Sequence, residues 1–101
     1  MKRIKEIPAE IDEIMHYFAK VFADSMRDPT QDKEDLYHDL VVLYLETLQT
    51  PKRGLNPENK NHWFMFFKSN LINRYTRALN ARKMLVKVTK DVAAYYENIK
   101  D

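Results

Sequence analysis

The sequence contains no cysteine, one glycine and four prolines among 101 residues. Without cysteine the chain forms neither a disulfide framework nor a thiolate metal site, which fits a reducing compartment. The single glycine, Gly54, excludes the glycine-rich loops that cradle phosphates. Few turn residues and no run of alternating β-branched side chains predict an all-α domain.

Long apolar runs are also absent. No stretch reaches the roughly 18 residues that a membrane span needs. The first residues, MKRIKEIPAEIDE, turn acidic before any long apolar segment, unlike a signal peptide. We therefore expect a cytoplasmic protein that makes no contact with a membrane, built as one domain with a modest core.

No side-chain pattern typical of catalysis or metal binding is visible. The three histidines, His16, His38 and His62, fall on different predicted helices and share no ligand spacing. Carboxylate pairs such as Asp35 with Asp39 lie at the start of an exposed helix, with no apolar pocket around them. We expect no enzyme, no cofactor and no bound metal.

Hydrophobic periodicity predicts a small helical bundle of three main helices and a short C-terminal one. The predicted main helices cover residues 9–27, 32–49 and 60–83 of a domain at 1–83, and a link with a short amphipathic helix covers 84–101.

The signals for helix ends are local. Asp32 is a good N-cap for the second helix, and Thr89 for the fourth. Asp28-Pro29 ends the first helix, because the residue before a proline avoids the helical conformation. Residues 84–88, MLVKV, fit either an extension of the third helix or an extended link.

Apolar residues at three- and four-residue spacing mark the expected core. The first two helices contribute Ile11, Ile14, Met15, Phe18, Phe22, Met26, Leu36, Leu40, Leu43 and Thr47; the third contributes Trp63, Phe67, Leu71 and Tyr75. Phe64 and Met65 lie off the stripe, so we expect one of them at the surface. The apolar side of the last helix, at Val92, Tyr95, Tyr96 and Ile99, fits packing on the body or on a partner.

Charge is distributed unevenly although the net charge is only +2. Residues 28–50 carry one lysine against six acidic residues, and residues 51–83 carry eight basic residues against Glu58. The acidic stripe on the second helix is either a solvated face or a docking surface for a basic protein. The basic side of the third helix is either a solvated face or a set of phosphate contacts, and no acidic residue occurs from Asn59 to Lys90 to neutralise it.

Two motifs resemble region 2 of bacterial RNA polymerase sigma factors. The run Asp32-Lys33-Glu34-Asp35-Leu36-Tyr37-His38-Asp39 is similar to the family's D-x-E-D-L-x-Q-E run, with histidine for the glutamine and aspartate for the glutamate. Trp63-Phe64-Met65, Asn70-Leu71 and Tyr75-Thr76-Arg77 are similar to the family's W-L-x-x-x-x-x-N-L-x-x-x-Y-x-R pattern. The resemblance covers roughly residues 10–83.

The resemblance implies a sigma-like initiation factor that binds core RNA polymerase and melts the promoter −10 element. The residues implied to dock on the clamp helices of the largest polymerase subunit are Asp35, His38, Asp39, Val42 and Glu46. Those implied to contact promoter DNA, mainly the non-template single strand, are Lys52, Arg53, Lys60, Asn61, Trp63, Phe64, Lys68, Asn70, Arg74, Arg77, Arg82 and Lys83.

The expected mechanism combines three kinds of contact. Aromatic side chains stack on unpaired bases for about 1–3 kcal/mol each, and basic residues hold the backbone without reading sequence. Specificity then comes from a pocket beside the aromatic helix that takes a flipped base. The loop at 52–60 is the expected lid of that pocket.

Three functional hypotheses stay open at this point. The chain ends before a second DNA-binding domain, the helix-turn-helix of region 4, so we expect a minimal sigma factor of the kind found in phages and mobile elements, or half of a split one. A polymerase-binding regulator, either a decoy or a co-sigma that needs a second subunit for distal promoter recognition, is the first alternative. A helical nucleic-acid-binding domain unrelated to polymerase is the second.

Overall fold

The computed structural model describes residues 7–26 and 32–100, and this part of the chain is all-α, as predicted, with no strand. Its helices are α1 (Ala9–Met26), α2 (Lys33–Gln49), α3 (Lys60–Ala81) and α4 (Leu85–Ile99). The first three agree with the predicted ranges to within two residues at each end. The predicted stop at Asp28-Pro29 lies outside the described residues. None of these helices has the length and apolar character needed to cross a bilayer.

The second and third helices begin at side-chain caps. A side-chain oxygen of Asp32 accepts a hydrogen bond from the Asp35 N–H at 2.9 Å, confirming the predicted cap. Asn59 Oδ1 caps α3 by accepting from the N–H groups of Asn61 and His62, at 2.8 and 3.3 Å. These bonds satisfy N–H groups that have no partner inside the helix, so each start is fixed by its own sequence.

The corner between α3 and α4 is tighter than the sequence indicated. Lys83 adopts φ +58, and the Met84 N–H then bonds back to Leu79 O at 2.8 Å, which closes α3 in a Schellman-type turn. α4 starts at Leu85, so the predicted cap at Thr89 is wrong. The Thr89 hydroxyl donates instead to Leu85 O inside the helix, at 2.8 Å.

α1 is the central element and contacts each of the other three helices. Every apolar residue predicted for its core stripe is buried. Burial of aromatic and branched side chains of this size stabilises the fold by about 1.5–3 kcal/mol each before conformational entropy is counted. The fully buried large side chains from all four helices are Trp63, Phe18, Phe22, Phe64, Phe67, Ile14, Met15, Leu36, Leu40, Leu71, Leu79 and Val88.

A polar and aromatic contact joins α1 to the start of α2. The Tyr37 hydroxyl donates to Asp12, whose other oxygen lies 3.4 Å from His16 Nε2, and the His16 ring stacks on Tyr37 with centroids 4.1 Å apart. Burial, and then the hydrogen bond and charge of Asp12, raise the pKa of Tyr37 to about 12.

α2 and α3 run antiparallel beside one another. The ring centroids of Tyr44 and Trp63 lie 4.6 Å apart near the loop that joins the helices. Further along, Arg74 Nη1 lies 3.7 Å from Asp39 Oδ2. Both helices pack more extensively on α1 than on each other, so the seam between them is bridged by side chains.

α4 packs on α1 and α3 rather than standing free. The rings of Tyr17 and Tyr95 are stacked 3.7 Å apart, and Phe64 lies 4.9 Å from Tyr96. Val92 is fully buried. Of the two occupants considered for its apolar side, the body of the chain covers Val92 completely and covers Tyr95, Tyr96 and Ile99 in part.

Candidate protein and nucleic-acid interfaces

The first candidate interface is the outer side of α2. The five predicted docking residues are all exposed and lie on the side of the helix turned away from the core; this acidic face consists of Asp35, His38, Asp39, Val42 and Glu46. Val42, at its centre, keeps 53% of its surface exposed. Three carboxylates around one exposed aliphatic side chain form a surface complementary to a basic partner with an apolar contact.

The second candidate interface is built on the loop between α2 and α3. Pro57 and Asn56 are tied to the first turn of α3 by side chains of that turn: Trp63 Nε1 donates to Pro57 O at 2.9 Å, and His62 Nδ1 accepts from the Asn56 N–H at 2.8 Å. Asn56 Oδ1 also accepts from the Glu58 N–H at 3.0 Å. Two neighbouring side chains of α3 therefore hold the loop against the helix.

The front of this loop is a β-turn at residues 52–55. The Leu55 N–H donates to Lys52 O at 3.2 Å, and Gly54 takes φ +83. A positive φ at the third turn position is typical of type II turns and favours glycine. The turn is why the only glycine of the chain lies here, and it places Lys52 and Arg53 at an exposed edge.

A cavity of about 340 Å³ opens between the turn and α3, where the sequence predicts a pocket with this loop as its lid. It has an apolar interior with cations at the edge; its lining residues are Lys52, Arg53, Gly54, Leu55, His62, Met65 and Phe66. Because Nδ1 of His62 already accepts from the backbone, only Nε2–H is left to meet a ligand, as a donor.

Two of the predicted DNA-binding residues are core residues. Trp63 is 0% exposed and Phe64 is 1% exposed. Trp63 lies against Tyr44 and Phe67, and Phe64 lies against rings of α1 and α4. Neither ring has a face available for a base, so their assignment to base stacking is wrong for this conformation. Met65, at 46% exposed, is the member of the pair 64–65 that reaches the surface.

The basic residues of α3 are less one-sided than the sequence predicted. Arg74 pairs with Asp39 across the seam, and Lys60 Nζ lies 3.2 Å from Glu10 Oε2 on α1. The sequence shows only that no acidic residue close in the chain neutralises the basic helix, and at these two positions acidic residues of other helices do so. The acidic partners come from helices that precede α3, which is why the absence of acidic residues within α3 was misleading.

The other basic residues divide between different sides of α3. Lys68, one turn after Phe64, lies on the flank that faces α4, whereas Arg77 lies on the exposed outer side, one turn beyond Arg74. Arg82 and Lys83 follow the end of the helix and are exposed. No single phosphate-binding face includes all of them.

Two predicted DNA-contacting amides are half-buried. Within the described residues, Oδ1 of Asn61 and Oδ1 of Asn70 are buried and accept no hydrogen bond. Because both oxygens are buried, neither is exposed for a contact with DNA at the surface. Leaving a buried acceptor without a donor costs about 1–3 kcal/mol. Residues 7–26 and 32–100 bring no three His, Asp or Glu side chains together as a metal site.

Sequence reasoning did not name five of the residues that line the cavity as contact residues: Gly54, Leu55, His62, Met65 and Phe66. The position of Gly54 between two basic residues and a leucine was the available signal, because a turn there directs its neighbours toward the next helix. His62 carried no such signal, since its role depends on a backbone N–H six residues earlier.

Comparison with known proteins identifies no family for this chain. No family model, no curated protein and no solved structure matches it.

Proposed function

We propose that this chain is a sigma-like transcription initiation factor. It binds core RNA polymerase through the acidic face of α2 and engages the unpaired non-template strand of the −10 element through the loop cavity and the exposed cations of α3. The motifs at residues 32–39 and 63–77 carry the family assignment, and the physical chemistry of the two interfaces supports it.

The observation that carries the docking half is the exposure of the acidic face. α2 buries Leu36, Leu40, Val41, Tyr44 and Thr47 on its other side, while the five predicted docking residues remain at the surface. Charge-assisted contacts to basic clamp helices steer association and are costly to lose once desolvated.

The DNA half rests on the cavity. Its volume of about 340 Å³ and apolar lining suit an aromatic heterocycle, and Lys52 and Arg53 at its edge suit the adjoining phosphate. Phe66, which is partly exposed and lines the cavity, takes over the stacking role first assigned to Trp63 and Phe64.

Co-purification with core RNA polymerase tests the docking half. Asp35→Arg or Asp39→Arg abolishes binding, because each puts a cation against a basic surface. Asp24→Arg, an exposed position on α1 outside the acidic face, makes the same charge change and leaves binding intact. Equal binding by wild type and all three variants removes the docking assignment.

The alternative is a polymerase-binding regulator that reads no bases itself, either a decoy or a co-sigma. The burial of Trp63 and Phe64 favours it, because it removes two of the rings expected to stack on DNA. Combined Lys52→Gln, Arg53→Gln and Arg77→Gln substitutions separate the two. If the chain itself opens DNA, the triple variant still binds polymerase but promoter thymines no longer react with permanganate. If the chain is a regulator, the triple variant changes neither polymerase binding nor the permanganate reactivity of the thymines.

A further inference from the structure

The strongest unassigned feature is the ion pair that joins the two candidate interfaces. Arg74 Nη1 and Asp39 Oδ2 are 3.7 Å apart, and 44% and 48% of the respective side chains are exposed. Asp39 belongs to the acidic face of α2, and Arg74 belongs to the basic residues of α3. Each of these two surfaces therefore contributes a charge to the other.

A partner on either surface competes with this pair. A basic protein that pairs with Asp39 removes the carboxylate beside Arg74 and leaves the guanidinium with the Tyr75 ring as its remaining contact. A phosphate that pairs with Arg74 removes the cation that screens Asp39. Because both side chains are about half exposed, each group reaches solvent and an incoming partner without movement of the helices.

We infer that the Asp39–Arg74 pair couples the two binding events, so that docking of a basic protein on α2 releases Arg74 to a phosphate of single-stranded DNA. The coupling is reciprocal, since linkage gives both ligands the same factor. This inference rests on the proposed function for the identity of the protein partner. From the strength of exposed ion pairs, we expect each ligand to raise the affinity of the chain for the other by roughly 1.4- to 5-fold.

The chain offers matched controls for both members of the pair. Glu46 is an exposed carboxylate of the same acidic face with no ion pair to any described residue, and Arg77 is an exposed arginine of α3 in the same situation. Asp39→Asn and Glu46→Gln remove the same charge from the same helix. On α3, Arg74→Gln and Arg77→Gln remove one charge each, and Arg74→Gln also removes the contact of the guanidinium with the Tyr75 ring, 5.9 Å from its centroid.

Binding of the full chain to a fluorescein-labelled oligo-dT 12-mer at low salt, followed by anisotropy, is the decisive experiment. Asp39→Asn strengthens binding by roughly 1.4- to 5-fold more than Glu46→Gln does. Its salt slope steepens by about 0.7, one extra phosphate contact on a single strand, and that of Glu46→Gln does not. In an Arg74→Gln background, Asp39→Asn and Glu46→Gln have equal effects.

Equal effects of Asp39→Asn and Glu46→Gln in the wild-type background overturn the inference, because the gain is then one of net charge alone. A wild-type chain that does not bind the oligonucleotide at all overturns it too. Neither result depends on polymerase. Binding to core RNA polymerase is measured separately, and Arg74→Gln binds it more tightly than Arg77→Gln does. If neither the wild type nor any variant binds polymerase, the proposed function is wrong. The oligonucleotide measurements then decide the inference about the ion pair on their own.

Discussion

The indole Nε1 of Trp63 donates a hydrogen bond to the carbonyl oxygen of Pro57 at a distance of 2.9 Å. This bond fixes the side of the tryptophan that faces the loop, while Tyr44 and Phe67 cover its ring. The most prominent residue of the sequence therefore acts as a structural tie between α3 and the loop.

Trp63→Phe tests that role. The substitution leaves Pro57 O without its donor and the core with a smaller ring, so we expect the free energy of unfolding to fall by about 1–3 kcal/mol. Urea unfolding followed by far-UV circular dichroism measures the change. Met65→Ala, at a position that lines the cavity and is 46% exposed, is the control and stays within about 0.5 kcal/mol of wild type.

A second readout separates structure from base stacking at Trp63. Affinity of the folded Trp63→Phe chain for oligo-dT remains that of wild type if the ring stays in the core. Because the substitution also removes the hydrogen bond that holds the loop against α3, a loss of affinity contradicts the burial assignment when the loop amides of the fully folded variant keep their wild-type hydrogen-exchange rates.

Lys83→Gly is expected to stabilise the chain. Lys83 holds φ +58, a conformation that costs a residue with a Cβ about 1–2 kcal/mol and costs glycine little beyond its own entropy of about 0.5–1 kcal/mol. The net gain is about 0.5–1 kcal/mol in the free energy of unfolding. Lys83→Ala loses the same charge but keeps the Cβ, and a gain of the same size with alanine shows that charge, not backbone conformation, is responsible.

The stacked pair Tyr17 and Tyr95 anchors α4 on α1. We expect each single alanine variant to destabilise the fold, and a double-mutant cycle to give a coupling energy of about 0.5–1.5 kcal/mol, as for other aromatic pairs. Hydrogen exchange of α4 amides measures where the loss occurs. Additive effects of the two substitutions mean that the rings do not interact in solution.

Stability should fall at alkaline pH because of two phenols. Burial first, and then Asp91 and Tyr95, raise the pKa of Tyr17 to about 12, and Tyr37 reaches a similar value beside Asp12. The folded chain keeps these protons where the unfolded chain, with a pKa near 10, has lost them. Their contribution is complete below pH 10 and is lost as the pH rises from about 10 to about 12.

Urea midpoints measured from pH 8 to 11.5 check this expectation. The variant with both Tyr17→Phe and Tyr37→Phe loses less stability across that interval than wild type. The decline does not vanish, because burial also raises the pKa of Tyr44 and Tyr95. An identical decline in variant and wild type excludes the two phenols as its source.

Periodicity and capping were sufficient to predict three helices and the α1 core, because the 3.6-residue repeat and residues such as Asp32 act locally. They were not sufficient where apolar residues are consecutive. In Trp63-Phe64-Met65-Phe66-Phe67 the side chains cover every side of the helix, and which of them are buried depends on α2 covering one flank and α4 the other. The start of α4 was missed because Met84, the residue at its N-cap, makes no side-chain capping hydrogen bond and so leaves no capping signal in the sequence.

Long-range ion pairs were beyond local reasoning. Asp39 and Arg74 are far apart in sequence and meet because α2 and α3 both pack on α1 and lie beside one another there. The two were assigned to separate functions because charge was counted along the chain, whereas the fold places Asp39, in the middle of the acidic stretch 28–50, against Arg74 of the basic stretch 51–83.

The hydrogen bond between Trp63 and Pro57 also means that tryptophan fluorescence reports on the position of the loop. Trp63 is the only tryptophan, and its ring lies 5.9 Å from Phe66, which lines the cavity. A ligand that enters the cavity and displaces the loop breaks the hydrogen bond between the indole and Pro57. The indole ring then becomes exposed to water, and its fluorescence emission shifts to longer wavelength. A partner that docks on the far side of α2 leaves the emission unchanged, so the wavelength distinguishes the two events without any label.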